Sequence, residues 1–255
     1  MSRVAFNDMV KFVEEVVEKA GLFAGLDLEP LETYQGMDTK VARNIKTPMA
    51  AADYRAFRVK GSDKIDKIAY GELHYMKRAK YCSLNLTCGD DYDLPVYACE
   101  YDETAKRVSI TIDLMPLVDL GAHPQYREKY LDPLGGLWRK ACAMEGLTEN
   151  GRCVVQRRYG PWPWARASMS PYPIDGRLSN TEDRMNILEA VTGYARHWLE
   201  LLEQAQPMPE GDYREEVLKR KRVMQKYYRD LDPGGEVLKK VVGDAREKVI
   251  VSLIF

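Results

Sequence analysis

The sequence predicts a fold of mixed helices and sheet (α/β), either α+β or a sheet with helices on both of its faces. Three observations support this prediction: a helical pattern near the N-terminus, a series of short β-rich segments within residues 53–113, and several amphipathic helical patterns after residue 125. Short turns join the β-rich segments, which favours antiparallel pairing of neighbouring strands. No linker-like stretch interrupts the chain, so we expect a single domain over residues 1–255.

The N-terminal half begins with a predicted helix over residues 6–20, which Asn7 can cap and Gly21 can end. Residues 25–48 have a mixed composition and are expected to form loops. Five β-rich segments follow, and turn-forming residues separate them. They are residues 54–59, 68–77, 81–88, 95–101 and 107–113.

Helical patterns dominate the C-terminal half. Ser179 and Glu182 form a capping box before a strongly amphipathic helix. Asp132-Pro133 interrupts an earlier helix, and Asp232-Pro233 ends a later one. The predicted helical segments are residues 125–145, the helix that follows residue 182, residues 212–228 and residues 236–255.

Charge and hydropathy exclude two classes of protein. The 38 Lys and Arg residues balance 39 Asp and Glu residues, for a formal net charge of -1, whereas a protein that binds nucleic acid through phosphates should be far more basic. No apolar run is long enough to span a membrane. The acidic N-terminal segment does not resemble a signal or transit peptide. We therefore expect a cytoplasmic protein with no nucleic-acid or membrane partner, and a monomer is the default expectation.

The metal-ligating residue types do not show the spacing of a metal site. The five cysteines are odd in number and form no CxxC pair, and the three histidines are scattered. We expect the cysteines to be reduced and mostly buried. The sequence also lacks the glycine motifs of nucleotide sites and the GxSxG and HExxH motifs of hydrolases. We therefore predict no metal site and no nucleotide cofactor.

Three motifs resemble those of the ferredoxin-dependent bilin reductases. Residues 92–100 (YDLPVYACE) and 109–116 (SITIDLMP) resemble a family core in which a DLP segment is followed by a turn and a strand that ends in DLxP. Trp164 and the Ser-Pro-Tyr of residues 170–172 resemble a W…FSP segment. Residues 227–233 and the terminal Leu-Ile-Phe are similar to the family's closing pattern. The motifs follow the family order from about residue 53 to the C-terminus, and the plant red chlorophyll catabolite reductases belong to the same superfamily.

The resemblance implies a three-layer α/β/α sandwich with a central antiparallel sheet. It implies that an open-chain tetrapyrrole of the biliverdin type binds between the sheet and the C-terminal helices. Reduced ferredoxin would supply single electrons in a radical mechanism, the protein would supply protons, and no cofactor would be bound.

A radical reduction needs a proton donor at each atom that receives an electron, and a carboxylic acid serves near neutral pH only where burial raises its pKa. The resemblance places Glu100 at the family's central acid, which is usually Asp, and Asp232 at a functional Asp-Pro. Glu72 is the third catalytic candidate, because it aligns with a His-x-Glu pair found in some members. The alternatives are that Glu100 pairs with Lys106 or Arg107, and that Asp232 only ends a helix.

Four further residues are candidates for contacts with the substrate. Ser109 matches a family position that can contact a propionate. Arg157 or Arg158 would hold a propionate through a bidentate guanidinium contact, although a solvated pair is the alternative. His74 shares a strand face with Glu72; the alternative is an exposed or capped histidine.

Two features leave the function open between hypotheses. A second family histidine falls near Ser83 and is missing. The first hypothesis is a reductase of a bilin, and the missing histidine motivates a second, a reductase of a different conjugated substrate such as a chlorophyll catabolite. A non-catalytic tetrapyrrole-binding protein is the third hypothesis. Residues 219–229 are rich in basic side chains, from Lys219 to Arg229. This helix is either a solvated face or a docking surface for an acidic ferredoxin.

Overall fold

The computed structural model of the chain describes residues 21–75, 79–104, 107–143, 148–149, 152–153, 163–178 and 184–255. The predicted helix over residues 6–20, the capping box of Ser179 and Glu182, and the two candidate arginines Arg157 and Arg158 lie outside the described residues.

An antiparallel sheet of eight strands is the centre of the described structure. Its strands are β1 (Leu28–Pro30), β4 (Ile45–Lys46), β5 (Ala50–Val59), β6 (Ile65–Tyr75), β7 (Ala79–Cys88), β8 (Val96–Thr104), β9 (Arg107–Met115) and β12 (Ile174–Leu178). Their order is β1-β5-β6-β7-β8-β9-β12, and β4 also pairs with β5. Two short hairpins, β2 (Thr33–Tyr34) with β3 (Met37–Asp38) and β10 (Thr148–Glu149) with β11 (Arg152–Cys153), lie outside the sheet.

The five predicted strands are confirmed as β5 to β9, and each pairs with its neighbour along the chain. The sheet is wider than the sequence predicts. The segment expected to form loops contributes β1 and β4, and β12 pairs with β9 after a long excursion of the chain. The sequence of β12, IDGRL, is short and has a glycine at its centre, which disfavours a strand locally, so pairing with the distant β9 makes it one.

Seven helices are described. They are α1 (Pro124–Tyr130), α2 (Gly135–Cys142), α3 (Pro163–Ser168), α4 (Arg184–Gln204), α5 (Asp212–Leu231), α6 (Pro233–Val242) and α7 (Asp244–Ile254). A 3-10 turn, Asp132–Leu134, separates α1 from α2, which confirms the predicted interruption. Cys82, Cys88 and Cys99 are free and buried, but Cys142 forms a disulfide, so the expectation of reduced cysteines is wrong for that residue.

One face of the sheet, which we call the packing face, is apolar and covered by α4. Its side chains include Leu84, Leu86, Tyr97, Ile110 and Ile112. The Tyr97 hydroxyl donates to the Val191 carbonyl at 3.2 Å, and the Trp198 indole donates to the Pro95 carbonyl at 2.7 Å. These bonds satisfy the polar atoms of two large buried rings, so that the rings can fill the core without an energetic penalty.

The opposite face, which we call the cavity face, packs against the C-terminal helices. Ala52, Ala69 and Leu73 of the sheet meet Leu238 of α6 and Ile250 of α7 in a second apolar cluster. Helices therefore cover both faces of the sheet, which confirms the three-layer α/β/α sandwich.

A buried lysine joins α7 to the cavity face. Lys67 is fully buried, and its Nζ donates to the Ser252 carbonyl of α7 at 2.6 Å. The same Nζ lies 4.5 Å from the centre of the Tyr34 ring, in a cation–π contact. Burial lowers the pKa of Lys67 to about 7.

Gly71 allows a close approach between neighbouring strands. A Cβ atom at this position would lie 2.0 Å from Cδ1 of Tyr54, whose ring rests against the Gly71 backbone. Tyr54 is fully buried and cannot move aside without disturbing the second apolar cluster.

We predict that Gly71→Ala lowers the free energy of unfolding by about 1–3 kcal/mol, because overpacking displaces a buried ring. Gly136→Ala is the matched control: it lies within α2 and no atom approaches the added Cβ within 4 Å, so a gain of about 0.5–1 kcal/mol is expected from helix propensity. Urea denaturation measures both variants. An unchanged midpoint for Gly71→Ala would contradict the prediction.

Candidate active site between the sheet and the C-terminal helices

Cross-strand pairing places a row of polar residues on the cavity face. Gly71 pairs with Ser83, Ser83 with Glu100, and Glu100 with Thr111. Directly paired residues of antiparallel strands project to the same side, so these side chains share one face. Thr111 pairs in turn with Asp175 of β12, which extends the row to the edge of the sheet.

A cavity lies between this row and the C-terminal helices. It contains about 740 Å³ of space that no atom occupies, and this figure includes the open solvent at its mouth. The sheet contributes Tyr54, Leu73, Tyr75, Tyr81, Glu100 and Asp102 to its walls. The helical wall consists of Tyr228, Asp232, Gly234, Gly235, Val237, Leu238, Val251, Ile254 and Phe255.

Glu100 and Asp232 contribute carboxyl groups to the cavity from the sheet and the helical side, respectively. Glu100 lies in the middle of β8 and is 4% exposed. Asp232 lies in the break between α5 and α6, where its Oδ1 accepts a hydrogen bond from the Gly234 N–H at 2.8 Å. Asp232 therefore caps α6, as the structural alternative expects, and also lines the cavity.

An aromatic cluster forms part of the helical wall. The ring of Tyr228 stacks on Phe255 with centroids 4.1 Å apart, and Trp164 meets it edge-on at 5.0 Å. Burial raises the pKa of Tyr228 well above its ordinary value, and the charges of Glu100 and Asp113 raise it further. The wall thus offers a flat, neutral aromatic surface that suits a conjugated ligand.

Two more acids lie on the cavity face, beyond Glu100. Asp113 is fully buried and accepts hydrogen bonds from the Ser170 N–H at 2.8 Å and from the Ser170 hydroxyl. Burial raises its pKa to about 6, although both bonds from Ser170 act in the opposite direction. Asp175 accepts a hydrogen bond from the Thr111 hydroxyl at 2.9 Å. These bonds connect β9 to the segment that leads into β12.

Glu72 and His74 do not reach the cavity. Glu72 pairs with Cys82, whose side chain belongs to the packing face. The two candidates lie together, with 3.4 Å between His74 Nε2 and Glu72 Oε2, as their shared strand face predicts. Because Gly71 belongs to the cavity face and side chains alternate, Glu72 must point away from Glu100. A catalytic role for Glu72 and a substrate contact for His74 therefore have no support from this cavity.

Ser109 lies next to the cavity, on the cavity face of β9. It is buried, and it pairs with Asp102, which lines the cavity. Its contact with a propionate stays a prediction.

Sequence reasoning missed four polar residues of the sheet wall, which are Tyr54, Tyr75, Tyr81 and Asp102. Asp102 follows Glu100 at the spacing of two residues that places both on one face of a strand, and this signal was available in the sequence. Tyr54 gave no such signal, because its place in the cavity depends on the close approach to Gly71.

The basic helix differs from expectation at two residues. Arg220 donates hydrogen bonds to the Pro116 carbonyl at 3.0 Å and to the Ala167 carbonyl at 2.9 Å. Lys221 is only 5% exposed, and its Nζ donates to the Cys88 carbonyl at 2.9 Å and to Asp90 at 2.7 Å. It therefore fixes α5 to the end of β7 and is not available to a partner. Lys219, Arg222, Lys226 and Arg229 are exposed.

Two further observations concern metal ions and membranes. In the described residues, no three His, Cys, Asp or Glu side chains are grouped so that they could hold a metal ion. None of the helices described above combines the length and apolar character needed to cross a bilayer.

Comparison with known proteins agrees with this architecture. A family model described as ferredoxin-dependent bilin reductase matches residues 84–254. The crystal structure of selenomethionine phytochromobilin synthase from tomato, in complex with biliverdin, has a similar fold: the TM-score is 0.70 at 18% identity, over 98% of this chain and 84% of that chain. A search of curated proteins returns no match. The chain belongs to the ferredoxin-dependent bilin reductases, a family of oxidoreductases, and the resemblance noted in the sequence is confirmed.

We predict that Asp113→Asn changes how stability depends on pH. The folded pKa of about 6 exceeds the unfolded value of about 3.9, so the stabilising contribution of Asp113 is complete below about pH 4 and is lost as the pH rises through about 6. Relative to the variant, the wild type should lose about 2–3 kcal/mol of unfolding free energy over this range.

Urea denaturation at several pH values measures the difference. The exposed Asp27→Asn is the control, and its unfolding free energy should run parallel to that of the wild type. A constant difference between Asp113→Asn and the wild type from about pH 4 to about pH 7 would contradict the prediction.

Proposed function

We propose that this protein reduces an open-chain tetrapyrrole of the biliverdin type, with electrons from reduced ferredoxin and with no cofactor of its own. The observation that carries the proposal is the pair of carboxyl groups, Glu100 and Asp232, that reach one cavity from opposite layers of the sandwich. Membership of the bilin reductase family and the likeness to a biliverdin-bound structure support it.

Such a reduction requires a supply of electrons and a supply of protons, and the cavity provides the protons. Each reduced double bond takes up two electrons and two protons, and the electrons arrive singly from outside. Glu100 would supply one proton from the sheet side of the pigment, and Asp232 would supply another from the helical side. The aromatic cluster of Trp164, Tyr228 and Phe255 keeps water away from the radical formed by the first electron.

Ser109 and one of Arg157 and Arg158 would hold the propionates at the edge of the pigment. A guanidinium suits this role, because it pairs with a carboxylate through two parallel hydrogen bonds.

Two alternatives lead to different experimental results. The Ser83 side chain stands where other members carry a histidine, which favours a substrate other than biliverdin, such as a chlorophyll catabolite. A non-catalytic carrier would bind the pigment tightly and leave it unchanged when reduced ferredoxin is added. A visible spectrum of the mixture with biliverdin, followed by addition of reduced ferredoxin, separates these cases: a shifted band reports binding, and stepwise bleaching reports reduction.

We propose that ferredoxin docks on the exposed face of α5. Val223, Tyr227 and Leu231 form an exposed apolar stripe at helical spacing. Exposed basic residues, including Arg222 and Lys226, flank the stripe. An apolar centre with a basic rim suits an acidic protein partner. Helix α5 ends at Leu231, next to Asp232 of the cavity wall.

We predict that Glu100→Gln binds biliverdin but stops after the first electron, because an amide N–H is far too weak an acid to protonate the pigment. Turnover should fall about 100-fold or more, and a radical should accumulate that electron paramagnetic resonance detects. Glu103→Gln is the matched control, since Glu103 is a buried carboxyl on the same strand that points to the packing face. Full turnover by Glu100→Gln would remove Glu100 from the mechanism.

We predict that reversing the charge at Arg222 and Lys226 (R222E and K226E together) raises the KM for ferredoxin about tenfold at low salt. The affinity for biliverdin should not change. The control reverses two exposed lysines at the far edge of the sheet, Lys46 and Lys60. The proposed docking site would be contradicted if both double variants showed the same KM for ferredoxin and the same dependence of that KM on salt.

A further inference from the structure

Tyr54 presents an unused hydroxyl group to the cavity. The residue is 2% exposed, and its ring lines the cavity wall. The hydroxyl oxygen is completely buried, yet no group in the described residues forms a hydrogen bond with it. Buried tyrosine hydroxyls almost always have a partner, so this one requires an explanation.

Strand pairing places Tyr54 in the same row as Glu100 on the cavity face. Tyr54 pairs with Gly71, and the next two residues of the row are Ser83 and Glu100. Because Gly71 has no side chain, the ring of Tyr54 lies over the Gly71 backbone of β6, on the face that also carries Ser83 and Glu100. The Ser83 hydroxyl, the next group in the row, is also buried without a hydrogen-bond partner among the described residues.

The chemistry of the surroundings restricts what this hydroxyl can bind. Burial raises the pKa of Tyr54 well above its ordinary value, and the charges of Glu100 and Asp102 raise it further, so the phenol stays protonated and can donate. Leu73, Val251 and Ile254 line the same cavity, so an anionic propionate would lose far more hydration energy there than a neutral carbonyl group. A neutral carbonyl oxygen is the acceptor that remains.

We propose that Tyr54 donates a hydrogen bond to the carbonyl oxygen of a terminal ring of the tetrapyrrole. This inference rests on the proposed function and adds to it the residue that orients the pigment over Glu100. The proposed hydrogen bond also requires a glycine at position 71, because any side chain there would displace the Tyr54 ring.

Titration of the purified protein with biliverdin, followed by visible absorption and without ferredoxin, tests the inference. Tyr54→Phe keeps the ring and removes the donor. We expect its Kd to rise about threefold to tenfold and its absorption band to shift, because a hydrogen bond to the carbonyl polarises the conjugated system. Tyr97→Phe is the matched control: it loses its bond to Val191 on the packing face and should keep the wild-type Kd and spectrum.

Unfolding of the two variants without pigment separates binding from folding. Tyr54→Phe should unfold at the wild-type midpoint or above it, because it loses only an unpaired hydroxyl, whereas Tyr97→Phe should unfold earlier. If the wild type binds biliverdin and Tyr54→Phe shows the same Kd and spectrum, the role of Tyr54 is overturned and the proposed function stands. If the wild type does not bind biliverdin, both are overturned.

Discussion

Antiparallel register across β6 to β9 is the constraint on which the candidate site depends. The direct pairs Gly71–Ser83, Ser83–Glu100 and Glu100–Thr111 bring residues from four strands onto one face. The side-chain period of a strand is two, so a slip of one residue would turn Glu100 into the apolar core. Two features resist such a slip: the short turns between the strands and the large side chains of the packing face.

The two faces of the sheet have different roles: the packing face stabilises the fold, and the cavity face carries the candidate site. The packing face buries Trp198, Tyr97 and many aliphatic side chains against α4, and the polar atoms of these two rings form hydrogen bonds. That favourable burial allows the cavity face to contain groups that are costly to bury. Examples are Asp113 with its raised pKa and the hydroxyls of Tyr54 and Ser83, which have no hydrogen-bond partner in the part of the chain that the structure describes. Costly buried groups concentrate where a ligand can satisfy them, which is typical of functional sites.

The sequence predicts the positions of two acids of the cavity, Glu100 and Asp232, more accurately than those of Glu72 and Lys221. Glu100 and Asp232 follow short motifs, and motif residues keep their place relative to the backbone. Glu72 is a candidate because it aligns with a His-x-Glu pair of the family. An error of one residue in that alignment moves the side chain to the other face of the sheet. Lys221 was grouped with an exposed basic run, but its long side chain turns inward to the Cys88 carbonyl, and charge patterning contains no information about such a contact.

The order of the central strands, the interrupted helix near Asp132 and the acids of two motifs follow from local patterns, because turn residues and side-chain alternation act over a few positions. The pairing of β12 with β9, the placement of Tyr54 over Gly71 and the meeting of Glu100 with Asp232 involve residues far apart in the chain. Packing between layers establishes those contacts, and no local pattern of amino acids encodes them.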